Sequence, residues 1–298
     1  MSNKILSFTP ENFADYELID SGDFMKLERF GDHITIRPEP QAIWDKSMTE
    51  QEWEKIAHVK FVPKSSSSGD WKKIKANTAE QWTINYPIKS IANKSIKLRL
   101  GLTSFKHVGV FPEQAVNWEY IAGCVSKFDK QPAKFLNLFA YTGGASLAAG
   151  AAGAETTHLD SIKQVVTWAN ENQQLSGLKD IRWVVEDALK FVKREAKRGN
   201  KYNGIILDPP AYGHGPNGEK WKLEDQLNEM MKEVIQLLDP EKHFLILNAY
   251  SLGFSSLILE NLVQQNIKSK QVEIGELYLK DKFSKNLPLG AFARFCSL

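Results

Sequence analysis

Cysteine is nearly missing from this sequence. Only Cys124 and Cys296 occur among 298 residues, which excludes a disulfide framework and a thiolate zinc site. The six histidines show no metal-ligand spacing, and no metal is expected. No apolar run approaches the ~20 residues of a membrane span. The N-terminal Met1-Ser2-Asn3-Lys4-Ile5 lacks the apolar core of a signal peptide, so the cytoplasm is the expected compartment. Charge of neither sign dominates, with 38 Lys and Arg against 36 Asp and Glu.

What is present is the composition of a soluble globular protein, 42% hydrophobic and 25% charged. The chain is long enough for one large domain or two ordinary ones. Its charge is unevenly spread. Residues 1–57 carry 6 Lys and Arg against 12 Asp and Glu, and residues 58–110 carry 10 against 2. A basic segment holding Lys72, Lys73, Lys75, Lys94, Lys97 and Arg99 can attract phosphates. It can equally be a solvated, Lys-rich strand surface.

Two regions differ in pattern. Residues 1–110 hold short β-like runs at 24–30, 33–36, 81–85 and 96–100, split by the serine-rich loop Ser65-Ser66-Ser67-Ser68-Gly69. Trp44, Trp53, Trp71 and Trp82 lie here, with Trp118 just beyond. In a small β module such rings are expected in the core, since each buries a large apolar area. This region is expected to be an N-terminal, mainly β domain that presents the substrate.

From residue 111 to 298 the chain alternates. Helices are expected at 113–127, 144–152, 162–175, 188–197, 223–238 and 252–265. Strands are expected at 135–139, 156–159, 181–185, 204–207 and 244–247. Short, fully apolar strands between amphipathic helices indicate an α/β fold with a parallel sheet covered on both faces. Strands at 271–279 and 291–297, joined by a loop at 280–290, suggest a closing antiparallel pair.

Ligands of such sheets sit beyond the carboxyl ends of the strands. The first strand ends in Asn137-Leu138-Phe139-Ala140-Tyr141-Thr142-Gly143-Gly144. Paired glycines allow a sharp turn and close ligand approach, and the next helix start would aim amides at a carboxylate. This is not the Gly-x-Gly-x-x-Gly pattern of a dinucleotide site. The second strand ends at Asp160, followed by Ser161; Asp160 can accept from ribose hydroxyls or cap a helix. After the third, Glu186-Asp187-Ala188 offers a carboxylate to an adenine amino group, or again a cap. The fourth ends in Asp208-Pro209-Pro210-Ala211-Tyr212-Gly213. Two prolines fix φ and remove two donors, leaving rigid carbonyl acceptors beside Asp208. Tyr212 would stack on a planar acceptor.

In this order these segments resemble the class I S-adenosylmethionine-dependent methyltransferases, whose five βα units and final hairpin match the expected elements. The closer resemblance, over about residues 100–260, is to the large-subunit ribosomal RNA cytosine-C5 methyltransferases. Those also carry a Gly-x-Phe-x-Asp-Gln-like stretch, here Gly109-Val110-Phe111-Pro112-Glu113-Gln114. The resemblance implies a Rossmann-like sheet and S-adenosylmethionine as cofactor. Residues 141–144 would face its methionine part, next to Asn137, Phe139 and Ala140. Asp160 and Ser161 would lie at the ribose, Asp187 and Ala188 at the adenine, and Phe111 and Gln114 would cover it. Asp208 and Pro209 would face the sulfonium and the acceptor, with Pro210 and Tyr212 beside them.

One departure matters. Cytosine-C5 methylation needs a thiolate that adds to the ring, and the related enzymes carry it just after the fifth strand. Here that stretch is Leu247-Asn248-Ala249-Tyr250-Ser251-Leu252-Gly253. Cys124 is expected ~15 Å from the cofactor along its helix, and Cys296 at the opposite end of the sheet, both as buried structural thiols. The expected reaction is therefore direct transfer to a base of RNA, ribosomal RNA first. Asn248 and Tyr250 would shape the pocket, and the loop Lys280-Asp281-Lys282-Phe283-Ser284-Lys285 would lie at the catalytic rim, either in contact with RNA phosphates or as a plain surface loop. A protein or small-molecule acceptor, or a non-catalytic RNA-binding role, remains open on the same scaffold.

Overall fold

The computed structural model describes residues 4–11, 13–65, 68–128, 132–250, 253–267 and 272–297. A short strand, β1 (Ile5–Phe8), comes first. Then follow β2 (Tyr16–Gly22), β3 (Met25–Phe30), β4 (His33–Pro38), the helix α1 (Glu50–Ile56), β5 (Val59–Pro63) and β6 (Gly69–Lys73). β7 (Gln81–Ile88) and β8 (Lys94–Gly101) form a hairpin. Beyond a 3₁₀ turn at Pro112–Gln114 come α2 (Ala115–Val125), β9 (Lys134–Leu138), α3 (Gly144–Ala151), β10 (Glu155–Asp160), α4 (Lys163–Leu175), β11 (Ile181–Val185) and α5 (Ala188–Lys197). The rest is β12 (Gly204–Leu207), β13 (Tyr212–His214), β14 (Lys220–Lys222), α6 (Leu223–Ile235), β15 (Phe244–Ala249), α7 (Ser256–Gln264), β16 (Glu273–Lys280) and β17 (Asn286–Cys296).

The eight-stranded sheet runs β1-β16-β17-β15-β12-β9-β10-β11. Its centre is parallel because its strands are apolar on both faces. Phe135, Ile206, Phe244 and Ile246 point to one core, shared with α2, α3 and the β7–β8 hairpin. Their neighbours Leu136, Leu138, Ile205, Leu207, Leu245 and Leu247 point to the other, under α5, α6 and α7. Side chains alternate along a strand, so a continuous apolar run needs helices on both sides. β17 is antiparallel to both β15 and β16, and so lies between them. The Rossmann-like sheet with an antiparallel closing strand is thus as expected.

The helices and strands expected from residue 111 onward are present, with shifted ends. The expected 113–127 helix begins as the 3₁₀ turn, since Pro112 supplies no amide. Leu252 and Gln271, which began an expected helix and strand, lie outside the described residues, as do Ser66 and Ser67.

The N-terminal region is more divided than its sequence suggests. β2 to β6 form one sheet, covered by α1, whose Trp53 is fully buried. α1 is closed by a capping box between Thr49 and Glu52. β1, however, pairs with β16 in the large sheet. The β7–β8 hairpin lies against α4, where the Arg99 amide donates to Asn172 Oδ1 (2.7 Å) and Trp168 Nε1 to the Arg99 carbonyl (2.8 Å). The five tryptophans read as core do pack there: Trp53 and Trp118 are buried, and Trp44, Trp71 and Trp82 pack against the core from its edge.

The loop expected at 280–290 is only a tight turn, since β17 already starts at Asn286. Two of its lysines are engaged within the protein. Lys285 Nζ donates to Asp20 Oδ1 (2.9 Å) and to the Asp45 carbonyl (3.2 Å), and Lys282 pairs with Glu17 (3.1 Å). Ser21 Oγ donates to Asp281 Oδ2 (3.1 Å). The turn is where the N-terminal sheet is fastened over the carboxyl edge of the large one.

Candidate active site

From β9 the chain goes to β10 and β11 on one side; from β12 it goes to β15 on the other. The crevice between β9 and β12 is therefore the topological switch point, where open α/β sheets hold ligands. Leu138 and Leu207 are the last residues paired there. Phe139 and Asp208 come next, at the floor of a cleft with about 450 Å3 of empty space, its open mouth included.

The loop after β9 is held in an unusual shape. Phe139 and Tyr141 have φ of 57° and 49°, a region that costs non-glycine residues ~1–2 kcal/mol and that clusters at functional sites. Surrounding bonds hold it. The Ala140 amide donates to the Leu159 carbonyl (3.0 Å), the Tyr141 amide to Asp160 Oδ2 (2.9 Å), and Thr142 Oγ1 to the Gly109 carbonyl (2.6 Å). Gly144 opens α3 directly over the Trp118 ring, where a Cβ would come within 2.5 Å of a ring carbon. Gly144→Ala is expected to cost about 1–3 kcal/mol through overpacking and to weaken cofactor binding; an unchanged melting temperature would contradict this packing.

Most residues singled out in the sequence do converge. Phe111, Gln114, Asn137, Phe139, Ala140 and residues 141–144 line the first cleft with Asp208. A second space on the other side of Phe139 is lined by Asp160, Ser161, Asp187, Ala188 and Pro210. Pro209 and Tyr212 line neither of these. Pro209 is buried, and Tyr212 is 57% exposed with its ring edge against His214. The Pro210 carbonyl, expected to be a free acceptor, takes a hydrogen bond from Trp221 Nε1 (2.7 Å).

Several of these side chains also hold structure. Asn137 Nδ2 donates to Ser146 Oγ (2.9 Å). Asp187 is the N-cap of α5, accepting from the Lys190 amide (2.9 Å). Asp160 is not a cap; it holds the Tyr141 amide with one oxygen and the Ile162 amide with the other (3.0 Å). Ser161 Oγ donates to the His214 carbonyl (2.9 Å). Gln114 Oε1 accepts from Asn117 (2.8 Å) and Asn248 (3.2 Å), which fixes its amide toward the cleft.

Electrostatics single out one group. Burial pushes the Asp208 carboxyl up to about 7, and its side chain forms no hydrogen bond among the described residues. Asp160 is also raised by burial, against the opposing pull of the Ile162 and Tyr141 amides. Burial raises Tyr141 to about 12 and lowers His158, beneath Gly143, to about 3.

Two parts of the site were missed from sequence. The β13–β14 hairpin brings His214 and Trp221 to the wall near Asp160. Its signal was Asn217-Gly218, a favoured hairpin turn pair, with Gly218 at φ 85°. The other is a cavity beside Phe111, walled by Lys26, Arg37, Glu39, Lys106, Glu113 and Tyr250 among others. No local pattern announces it, because its walls come from distant segments.

A family model described as S-adenosylmethionine-dependent methyltransferase matches residues 64–276. The chain belongs to that family. A solved structure, the SAM-dependent methyltransferase from Agrobacterium tumefaciens, is 37% identical with a TM-score of 0.90, over 98% of this chain and 94% of that one. SMU.776, described as a methyltransferase and solved with SAH, is 17% identical; it shares the fold at a TM-score of 0.70, over 95% of this chain and 76% of that one. Among curated relatives, ribosomal RNA large subunit methyltransferase K/L of Shewanella frigidimarina is 32% identical over 157 residues, 51% of this chain and 21% of that protein. The same-named protein of Shewanella woodyi is 26% identical over 228 residues, 72% of this chain and 29% of that protein. The methyltransferase thus spans under a third of the length of these two. Its cofactor is S-adenosylmethionine, and the chemistry of the donor set fits it: an acidic residue at the end of β10, a helix start beyond β9, and an aromatic wall at Phe111 and Tyr141, with rings 5.3 Å apart.

Proposed function

We propose that this methyltransferase transfers a methyl group directly to a nitrogen or oxygen of a base in RNA, ribosomal RNA first. The observation that carries direct transfer is the position of the thiols. Cys296 pairs in register with Phe244, at the start of β15 and so at the end of the sheet away from the cleft. Cys124 is buried in contact with it. The stretch directly after β15, Tyr250-Ser251-Leu252-Gly253, holds no cysteine, so no thiolate is placed there to add to a base.

S-adenosylmethionine supplies an electrophilic methyl carbon on a good leaving group. The chain supplies position. Residues 141–144 and the first amides of α3 receive the methionine part. Asp160 takes the ribose hydroxyls on its remaining lone pairs, and Asp187 and Ala188 frame the adenine under the β13–β14 hairpin. Phe111 and Gln114 cover the cofactor. Asp208, backed by Pro209 and Pro210, orients the acceptor or takes its proton. Asp160→Ala is expected to weaken S-adenosylmethionine binding at least tenfold by calorimetry, since a charge-assisted hydrogen bond contributes about 1.5–3 kcal/mol; an unchanged Kd removes Asp160 from that role.

RNA is supported by the names of the curated relatives and by the exposed Lys72, Lys75, Lys89, Lys94 and Lys97 of the basic segment. Lys60, Lys73 and Arg99, by contrast, are held by Glu50, Glu80 and Glu171. The deciding experiment compares ribosomal RNA nucleosides from a deletion strain and its parent by mass spectrometry. A missing methylated nucleoside supports the reading and names the atom; identical nucleosides overturn it.

A further inference from the structure

The cavity beside Phe111 shares that residue and Val110 with the cofactor cleft. It holds about 310 Å3 of empty space, its mouth included. Two modules build it: Lys26, Arg37 and Glu39 come from the N-terminal sheet, and Glu113 and Tyr250 from the catalytic part. Almost every charge here is answered. Arg37 Nη2 meets Glu28 at 2.6 Å, Lys26 meets Glu39 at 3.2 Å, and Lys106 Nζ donates to the Pro38 carbonyl (3.5 Å). Tyr250 Oη donates to Glu39 (3.3 Å).

Glu113 is the exception. It sits in the 3₁₀ turn, is 3% exposed, and lines the cavity. The hydrogen bond its carboxyl receives comes from its own backbone amide. Burial raises it to about 7, against the opposing pull of the Lys26 charge, and the Asp208 charge adds a smaller push upward. An unpaired buried carboxyl is costly, and a site built to receive a donor has this cost when empty. The Lys26 charge offsets part of this burial cost, but its ammonium is paired with Glu39 and Glu28 and forms no ion pair with Glu113. The space is flanked by flat rings: Phe111 lies 4.9 Å from His107 and 6.5 Å from Tyr250. A planar group with an N–H donor would complement these walls, and the shared Val110 and Phe111 would set it beside the cofactor cleft.

We propose that this cavity is the acceptor-base site, and that Glu113 determines specificity by accepting a hydrogen bond from an amino or ring N–H group of the flipped target base. This rests on the reading of the protein as an RNA-base methyltransferase. The base then lies between the N-terminal sheet and the cofactor cleft, with Asp208 on its cofactor side.

The test uses the full chain, labelled S-adenosylmethionine, and ribosomal RNA from the deletion strain. For Glu113→Gln, the Kd for S-adenosylmethionine is expected to stay within about twofold of wild type. kcat/KM for RNA is expected to fall about 10- to 100-fold, the range of one charge-assisted hydrogen bond. Glu113→Asp keeps the charge but shortens the reach, and is expected to lose RNA transfer with cofactor binding intact. Wild-type kcat/KM in both variants overturns the proposal. So does a loss of cofactor affinity in both that matches the loss of transfer, which would make Glu113 part of the cofactor site or the fold. A wild-type protein that methylates no RNA overturns the underlying RNA reading instead, whatever the variants do.

Discussion

Asparagine at Asp208 is expected to lower methyl transfer to RNA by about 10²- to 10³-fold, the range of a positioned acid or base, while leaving the fold intact. Asp208 is the first residue beyond the β12 register at the switch point, and its carboxyl is held up near 7 by burial. The same substitution changes stability with a definite sign. An acid raised in the folded state keeps its proton to higher pH than in the unfolded chain. Stability is therefore lost as pH rises from about 4, the ordinary aspartate value, through about 7. Above that window, Asp208→Asn removes the penalty and is expected to stabilise the cofactor-free protein by about 1–3 kcal/mol at pH 8, with little effect at pH 4. The upper figure is bounded because part of the Asp208 side chain faces the open cleft. Thermal melts at the two pH values measure it. A variant with wild-type turnover refutes the catalytic role, and one with the same pH dependence as wild type refutes the burial argument.

Replacing Arg37 by methionine is expected to be the most damaging single change to the N-terminal sheet. Glu28 is fully buried and accepts from Arg37 Nε (2.8 Å) and from Tyr16 Oη (2.9 Å). Burial opposes its ionised form, but the Arg37 and Lys26 charges more than offset this, so its carboxyl is held below the ordinary value. That contribution is present at neutral pH and is lost as pH falls through and below the ordinary carboxylate range. Removing Arg37 strands the charge. Breaking one half of a buried ion pair costs about 3–5 kcal/mol, here roughly a 6–20 °C drop in melting temperature at ~2–4 °C per kcal/mol. The double variant Glu28→Leu with Arg37→Met is expected to recover most of that loss, since no buried charge is then left alone. A single variant that melts with wild type refutes the argument.

The fold of the catalytic part was legible because its cues are local. Gly204–Leu207 and Phe244–Ala249 are apolar at every described position up to Leu207 and Leu247, and a central parallel strand buries such a short run on both faces. The turn chemistry of Gly143-Gly144 and Asp208-Pro209-Pro210 marked the strand ends by the same logic. The sequence left more undetermined where one residue could serve two ends. Ser161, expected near the ribose, lines the space beside Asp160 and also holds the β13–β14 hairpin through its hydroxyl. Tyr212, expected as a stacking ring, sits on that hairpin with its ring on the surface.

The sequence by itself determined the alternation of strands and helices, the family pattern at the strand ends, and the want of a thiol beside the cofactor. These follow from side-chain period, turn residues and composition, which act over a few residues. Only the tertiary structure decided that Lys285 reaches back to Asp20, that Tyr250 meets Glu39, and that Glu113 is buried in the wall beside the cofactor cleft. The partners in the first two pairs lie 265 and 211 residues apart. The charge state and exposure of each group depend on what the chain brings against it, and no local signal carries that.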